Sequence, residues 1–240
     1  MFLRQLFLAG SISCLILLCL SGCTKSVPTA DTAPTPSGEV RFIHSAASTG
    51  ALDFTYLSLD WNVYVSAVSD AVYGYQYGYY DFRADNRTFQ TYLANTNIAV
   101  ANVAFYLTDN FRYSVLAVDL DATINPELIA LADTLALPPD GKAFLRFLHA
   151  SADAPTLDIL HPDSTKLVSE LAQYDASPYL TLDQGTYSFS VNSSSSEEEL
   201  VVLDPVTVIS GNNYTGVLSG SIDGLPGPVF NIKLYQETSL

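Results

Sequence analysis

Arg41-Phe42-Ile43-His44-Ser45-Ala46 returns later in the chain as Arg146-Phe147-Leu148-His149-Ala150-Ser151. The echo continues in register, with Leu52-Asp53-Phe54 answered by Leu157-Asp158-Ile159. Further on, Thr88-Phe89-Gln90-Thr91-Tyr92-Leu93 resembles Thr186-Tyr187-Ser188-Phe189-Ser190-Val191, and Tyr113-Ser114-Val115-Leu116 resembles Tyr214-Thr215-Gly216-Val217-Leu218. Order and spacing both persist, so duplication is a better account than chance. A period this long means two copies of a domain, not a solenoid. The turn cluster Pro138-Pro139-Asp140-Gly141 marks the boundary, giving copies over 39–141 and 142–240. Charge divides evenly: residues 38–141 and 142–240 each hold 12 acids against 4 bases, a net −8 apiece.

Within the second copy, Ala143–His149 is apolar except at Arg146. Gly185–Asn192 alternates, with Tyr187, Phe189 and Val191 on one face and Thr186, Ser188 and Ser190 on the other. Leu200–Leu203, Val206–Ile209, Tyr214–Ser219 and Val229–Tyr235 follow as strands between Gly, Pro, Asn and Asp. Leu167–Tyr174 reads as a helical turn or an irregular strand. A composition with 15 Tyr and 12 Phe against one Trp and one Met suits half-buried pleated surfaces. The expectation is an all-β chain: two tandem immunoglobulin-like antiparallel β-sandwich domains.

Ahead of the repeats, a single basic residue, Arg4, precedes an apolar run from Leu6 to Leu20 that ends in Leu20-Ser21-Gly22-Cys23. Its length and position fit a signal-peptide core over residues 1–22. The order Leu-Ser-Gly-Cys resembles the bacterial lipobox, which implies lipidation of Cys23 as the mature N-terminus. The alternatives are an ordinary signal peptide or an uncleaved anchor. Residues 23–38, with Pro28, Pro34 and Pro36 among Thr, Ser and Ala, read as a flexible tether. Thr24 and Lys25 are compatible with sorting to the outer membrane.

All three cysteines, Cys14, Cys19 and Cys23, fall in the first 23 residues, so no disulfide, thiolate metal site or cysteine nucleophile is expected in the folded part. A formal net charge of −15, from 10 Lys+Arg against 25 Asp+Glu, argues against nucleic acid and against docking to anionic headgroups.

The stretch Leu128-Ile129-Ala130-Leu131, Pro138, Gly141-Lys142-Ala143, Arg146 to Pro155 and Leu157-Asp158-Ile159 resembles the domain-of-unknown-function 4397 family. So does Tyr179-Leu180-Thr181-Leu182 with Gly185-Thr186-Tyr187. The resemblance is specific over 142–224 and weaker over 39–141, where His44–Thr49 lacks the Ala-Pro step and Tyr73–Phe82 departs from the pattern. It implies bacterial envelope β-domains, often in tandem and often on lipoproteins. It supplies no catalytic residue.

Four groups carry candidate chemistry. His44 and His149 sit at matching strand ends, each followed by Asp53 or Asp158 at equal spacing. They read either as a general base or metal pair, or as strand caps and turn stabilisers. Recurrence in both copies favours the structural reading, with no third group to complete a triad. Asp119-Leu120-Asp121-Ala122-Thr123-Ile124-Asn125-Pro126-Glu127 spaces oxygens like a calcium loop, but Ile124 stands where Gly is needed and Ala130 where Glu is needed. Tyr73, Tyr75, Tyr77 and Tyr79 would line one face of a strand and form a candidate binding row for sugar rings or a protein partner. The alternative is that the row packs on the neighbouring domain or covers a sheet edge. No cofactor motif is present.

The leading expectation is a non-enzymatic binding, adhesion or scaffolding lipoprotein of the cell envelope, held to the membrane by its anchor, with a glycan or an envelope protein as partner. The rival is an envelope glycan hydrolase or metal-dependent enzyme using acids such as Asp53 and Asp158. Mass spectrometry of the mature protein is expected to find an acylated N-terminal peptide beginning at Cys23. An unmodified peptide starting elsewhere removes the anchor assignment.

Overall fold

The computed structural model describes residues 36–119, 125–223 and 228–237. The apolar leader, Cys23 and most of the tether lie outside them, as do Leu120–Ile124 of the calcium-like stretch. Every regular element among the described residues is a strand.

The first set comprises β1 (Ser37–His44), β2 (Leu52–Leu57), β3 (Tyr64–Ala71), β4 (Gln76–Arg83), β5 (Asn86–Leu93), β6 (Ala99–Tyr106), β7 (Arg112–Asp119) and β8 (Pro126–Asp133). They form two four-stranded sheets, β4-β1-β7-β8 and β3-β2-β5-β6. The second set comprises β9 (Lys142–His149), β10 (Leu157–Leu160), β11 (Lys166–Leu171), β12 (Leu180–Asp183), β13 (Gly185–Tyr187), β14 (Ser190–Ser193), β15 (Glu199–Val202), β16 (Val206–Val208), β17 (Asn213–Ser219) and β18 (Asn231–Gln236). They form β12-β9-β17-β18, β11-β10-β14-β15 and a two-stranded β13-β16.

Most ladders are antiparallel. In each set, however, the opening strand pairs in parallel with the penultimate one, β1 with β7 and β9 with β17. That geometry needs a long crossover, and the whole second sheet of each set supplies it. The alternating stretch Gly185–Asn192, expected as one strand, divides into β13 and β14, which belong to different sheets. The break falls at Phe189, whose buried ring meets Phe147 at 5.1 Å and stacks on Tyr187 at 5.5 Å. Of Leu167–Tyr174, the residues up to Leu171 belong to a strand, β11, with Glu170 at positive φ, and the chain turns after it.

Period-2 alternation explains why β1 and β9 are apolar almost throughout. Val40 and Phe42 turn toward Phe54 and Phe89 of the facing sheet, making the first core. Leu145 and Phe147 do the same with Ile159 and Phe189 in the second. The opposite faces of these strands are buried too. Ile43, Leu116 and Val118 meet Leu148, Val217 and Tyr235 in a third cluster. The sheets β4-β1-β7-β8 and β12-β9-β17-β18 therefore lie back to back, inside a stack of four layers.

At the edge of that seam sit four buried charges. Arg41, Asp133 and Glu237 have side chains no more than 1% exposed, and Arg146 is 5% exposed. Arg41 Nε donates to Ser114 Oγ at 2.7 Å, and Arg146 Nε donates to Thr215 Oγ1 at 2.9 Å. Each arginine then reaches across: Arg41 Nη1 donates to the Gln236 carbonyl at 2.6 Å, and Arg146 Nη1 to the Ala132 carbonyl at 2.7 Å. Arg146 also pairs directly with Asp133 and lies 3.5 Å from Glu237, while Arg41 lies 3.6 Å from Asp133 and 3.8 Å from Glu237. Tyr79 and Tyr179 cap the carboxylates with hydroxyl donations to Asp133 and Glu237 at 2.8 Å. Their rings lie against Arg41 at 5.4 Å and Arg146 at 4.9 Å.

Removing one member leaves an uncompensated charge in a dry site, which costs far more than an exposed pair does. Asp133→Ala is expected to destabilise the protein by about 3–5 kcal/mol in chemical denaturation. A change within about 0.5 kcal/mol, as for an ordinary surface substitution, would show that the quartet does not hold the seam.

Candidate functional site

The four tyrosines expected in one row do not share a face. Opposite β1, Arg41 pairs with Tyr79 but Phe42 pairs with Tyr77, which leaves Gly78 as the extra residue of a bulge. A bulge breaks the period-2 alternation and re-aims the side chains that follow. Tyr77 consequently packs on the first core, and its hydroxyl accepts the Val72 N–H at 2.8 Å. Tyr79 turns instead to the buried quartet. Tyr73 bonds Ser219 of the second set at 3.0 Å, and Tyr75 is 60% exposed beneath the Lys233 ammonium at 5.1 Å.

The His and Asp of each copy serve separate tasks. Both imidazoles are buried, and their Nε2 atoms donate to the carbonyls of Gly50 at 2.8 Å and Pro155 at 3.0 Å. That fixes the Nε2–H tautomer, and His149 Nδ1 accepts the Ser151 N–H at 3.3 Å. Asp53 Oδ1 accepts the N–H of Asp70 at 2.8 Å, and Asp158 Oδ1 that of Glu170 at 2.9 Å. Asp70 and Glu170 both have φ of 53°, a strained left-handed conformation that the carboxylates hold in place. Asp119 is occupied likewise, accepting from the Ala47 N–H at 2.6 Å and from Ser48. No group of three or more His, Cys, Asp or Glu suited to a metal occurs among the described residues.

The outer face of β3-β2-β5-β6 holds an open cleft of about 420 Å³. Asp53 and Thr55 from β2, Tyr64 and Ser66 from β3, Tyr92 from β5 and Asn97 from the following turn line it. These positions alternate with Leu52, Phe54, Tyr56 and Phe89, which fill the core behind. Thr55 Oγ1 donates to the Gln90 carbonyl at 2.9 Å, and the Tyr92 hydroxyl donates to Gln90 Oε1 at 3.0 Å. The second set carries a smaller counterpart of about 260 Å³, lined by Asp158, Leu160, Lys166, Asn192 and Glu197.

Asp53 and Asp158 were legible from sequence as recurrent acids. Tyr64 and Tyr92 were not singled out, because their strands are fixed only by pairing. The acids of the quartet occupy equivalent places, Asp133 as the last residue of β8 and Glu237 immediately after β18. The pairing also aligns the two sets of strands. Leu52 faces Leu93 and Leu157 faces Ser193, so Phe89 corresponds to Phe189, two residues beyond the alignment read from sequence.

The profile of a family described as a domain of unknown function, DUF4397, matches residues 38–160. The match thus runs over the first set, whose sequence departs further from the family pattern, and into β10, taking in the Arg146–Pro155 and Leu157–Ile159 stretches that carry the resemblance. No curated protein matches the chain. Among solved structures, the Bacillus anthracis TIE protein is 11% identical with a TM-score of 0.25, over 77% of this chain and 34% of its own. The chain therefore spans about a third of that protein. A family CBM26 module from Eubacterium rectale Amy13K, solved with maltoheptaose, is 9% identical with a TM-score of 0.24, over 84% of this chain and 97% of its own. The fimbrial anchor protein Mfa2 from Porphyromonas gingivalis is 8% identical with a TM-score of 0.20, over 84% and 97%.

Burial holds both His44 and His149 below the ordinary imidazole value of 6.5, against the opposing pull of the Gly50 and Pro155 carbonyls. A depressed folded value contributes stability above 6.5 that is lost as pH falls from there toward the folded value. Glu237 acts oppositely: burial and then Asp133 raise it above 4.5, so falling pH relieves its cost between its folded value and 4.5. The double variant His44→Gln/His149→Gln isolates the histidines. Its stability is expected to decline less than the parent's between about pH 7 and pH 5.5 in denaturant titrations. Parallel curves for the two proteins would remove the histidines from this role.

Proposed function

The chain belongs to the DUF4397 family, and from that footing we propose that it is a non-enzymatic binding or scaffolding lipoprotein of the bacterial cell envelope. In this reading Cys23 carries the lipid that tethers it, most simply to the outer membrane, and residues 39–141 and 142–240 are duplicated immunoglobulin-like domains. A glycan or another envelope protein is the partner, and no nucleic acid is involved. The observation that carries the reading is the polar cleft on the outer face of β3-β2-β5-β6, turned away from the seam.

Several features support it. The seam holds the two sets in one stiff unit, which lowers the ordering cost of recognition. The acids that a hydrolase would need, Asp53 and Asp158, each hold the backbone N–H of a left-handed residue within a neighbouring strand. Two carboxylates flanking one glycosidic bond lie a few ångströms apart, about 5–9.5 Å. Asp53 and Asp158 belong to the two outermost sheets of the four-layer stack.

The detergent-solubilised full chain, incubated with purified outer-membrane polysaccharide and outer-membrane proteins, is expected to be retained without generating new reducing ends. Release of reducing ends that Asp53→Asn or Asp158→Asn abolishes would replace the binding reading with the hydrolase.

A further inference from the structure

We infer that the cleft lined by Asp53, Thr55, Tyr64, Ser66, Tyr92 and Asn97 takes a neutral oligosaccharide, while its counterpart in the second set is closed to one. This rests on the binding-module reading and names its ligand class and its site.

The lining chemistry selects the ligand. Among the described residues no Lys or Arg lines the cleft and one carboxylate does, so an anionic ligand meets repulsion there. Ser66 and the amide of Asn97 both donate and accept, and Thr55, whose O–H is given to the Gln90 carbonyl, can still accept, which suits a ligand rich in hydroxyls. Asp53 has one oxygen committed to the Asp70 N–H and can accept at the other. Tyr64 is 41% exposed and offers a ring face, as Tyr92 does, against which the C–H faces of a sugar can lie. The loop leading into Tyr64 carries Trp61, the chain's single tryptophan, 52% exposed. A volume of about 420 Å³ lies within the range of small-ligand sites.

The second set is an internal control built on the same frame. The ladders place Thr55 opposite Ser66 and Leu160 opposite Lys166, and Asp53 opposite Tyr92 and Asp158 opposite Asn192. The acid and the left-handed residue it holds are kept in both sets. The outward-facing side chains around them are not. In the second set Lys166 Nζ donates to Asp158 Oδ2 at 2.5 Å and Ser194 Oγ donates to Oδ1 at 2.6 Å, so the acid is sealed. Leu160 replaces a hydroxyl, and Asn192 replaces the aromatic ring. Since the frame stands with either set of side chains, Thr55, Ser66 and Tyr92 are not there to maintain the fold.

The test transplants the closed set into the open one. Titration calorimetry on the full chain in detergent, with neutral gluco-, manno- and galacto-oligosaccharides as probes, is expected to detect binding to at least one series. Ser66→Lys, which supplies the lysine that seals Asp158, and Tyr92→Asn, which removes the ring, are each expected to weaken that binding at least about tenfold. The melting temperature should hold within the range of a surface substitution. Lys166→Ser in the second set should leave binding unchanged. Absence of binding to all three series overturns the inference, as does binding that both first-set variants retain or tighter binding to a polygalacturonate. Continued retention of the chain on envelope material in any of those cases leaves the binding-module reading standing, so the two failures are distinguishable.

Discussion

The seam between the inner sheets depends on four charges taken out of water together. Arg41, Arg146, Asp133 and Glu237 cancel as a set, and desolvating any subset would cost several kcal/mol per unpaired ion. The arrangement is crossed: each arginine serves its own set through Ser114 or Thr215 and the other through a main-chain carbonyl. Apolar contacts such as Ile43 on Leu148 supply area but tolerate sliding. The charges do not, because a shift of one residue along β1 or β9 would send the guanidinium into the core and a leucine or phenylalanine to the carboxylates. The hydrophobic cluster therefore binds the halves, and the quartet sets their register. Tyr79 and Tyr179 complete the enclosure. Burial and the neighbouring carboxylates push their phenols above the ordinary value, so both remain donors at any physiological pH.

Much of this could be read from the chain. Arg41 and Arg146 stand out as charges inside apolar runs, Val40–Ile43 and Ala143–Leu148, and a buried arginine needs a partner. The partners could not be read, because Asp133 and Glu237 lie at strand ends where acids are ordinary, and only the parallel pairing of β1 with β7 and β9 with β17 brings them near. The tyrosine row failed as an expectation for a local reason. Alternation counts residues, and the bulge at Gly78 inserts one that the pattern does not announce. Gly185–Asn192 shows the reverse case: the alternation is real, but the chain passes between sheets without interrupting it. The recurrent histidines and aspartates are visible in the chain, and the carbonyls and N–H groups they hold are visible only in the structure.

The cleft illustrates what pairing adds to a sequence. Thr55, Ser66 and Tyr92 are unremarkable singly and lie far apart in the chain. Two antiparallel ladders bring them to one surface, over a core whose own residues occupy the alternate positions. Two strand sets that pair alike then make the comparison internal. Positions that differ between the sets while the backbone is preserved are those released from holding the fold.

The placement of β1 has a mechanical consequence. It is an inner strand, bonded along one side to β4 and along the other to β7, and the chain enters it directly from the N-terminal side. A pull on that end acts along the strand, perpendicular to its hydrogen bonds. Both ladders are then loaded in shear, with all their bonds sharing the tension, and none can be peeled away singly. Arg41 adds a brace inside the same strand, bonded to Ser114 on the neighbouring strand and to Gln236 across the seam. A chain tugged through its leading end is thus resisted first at an element secured along both of its edges.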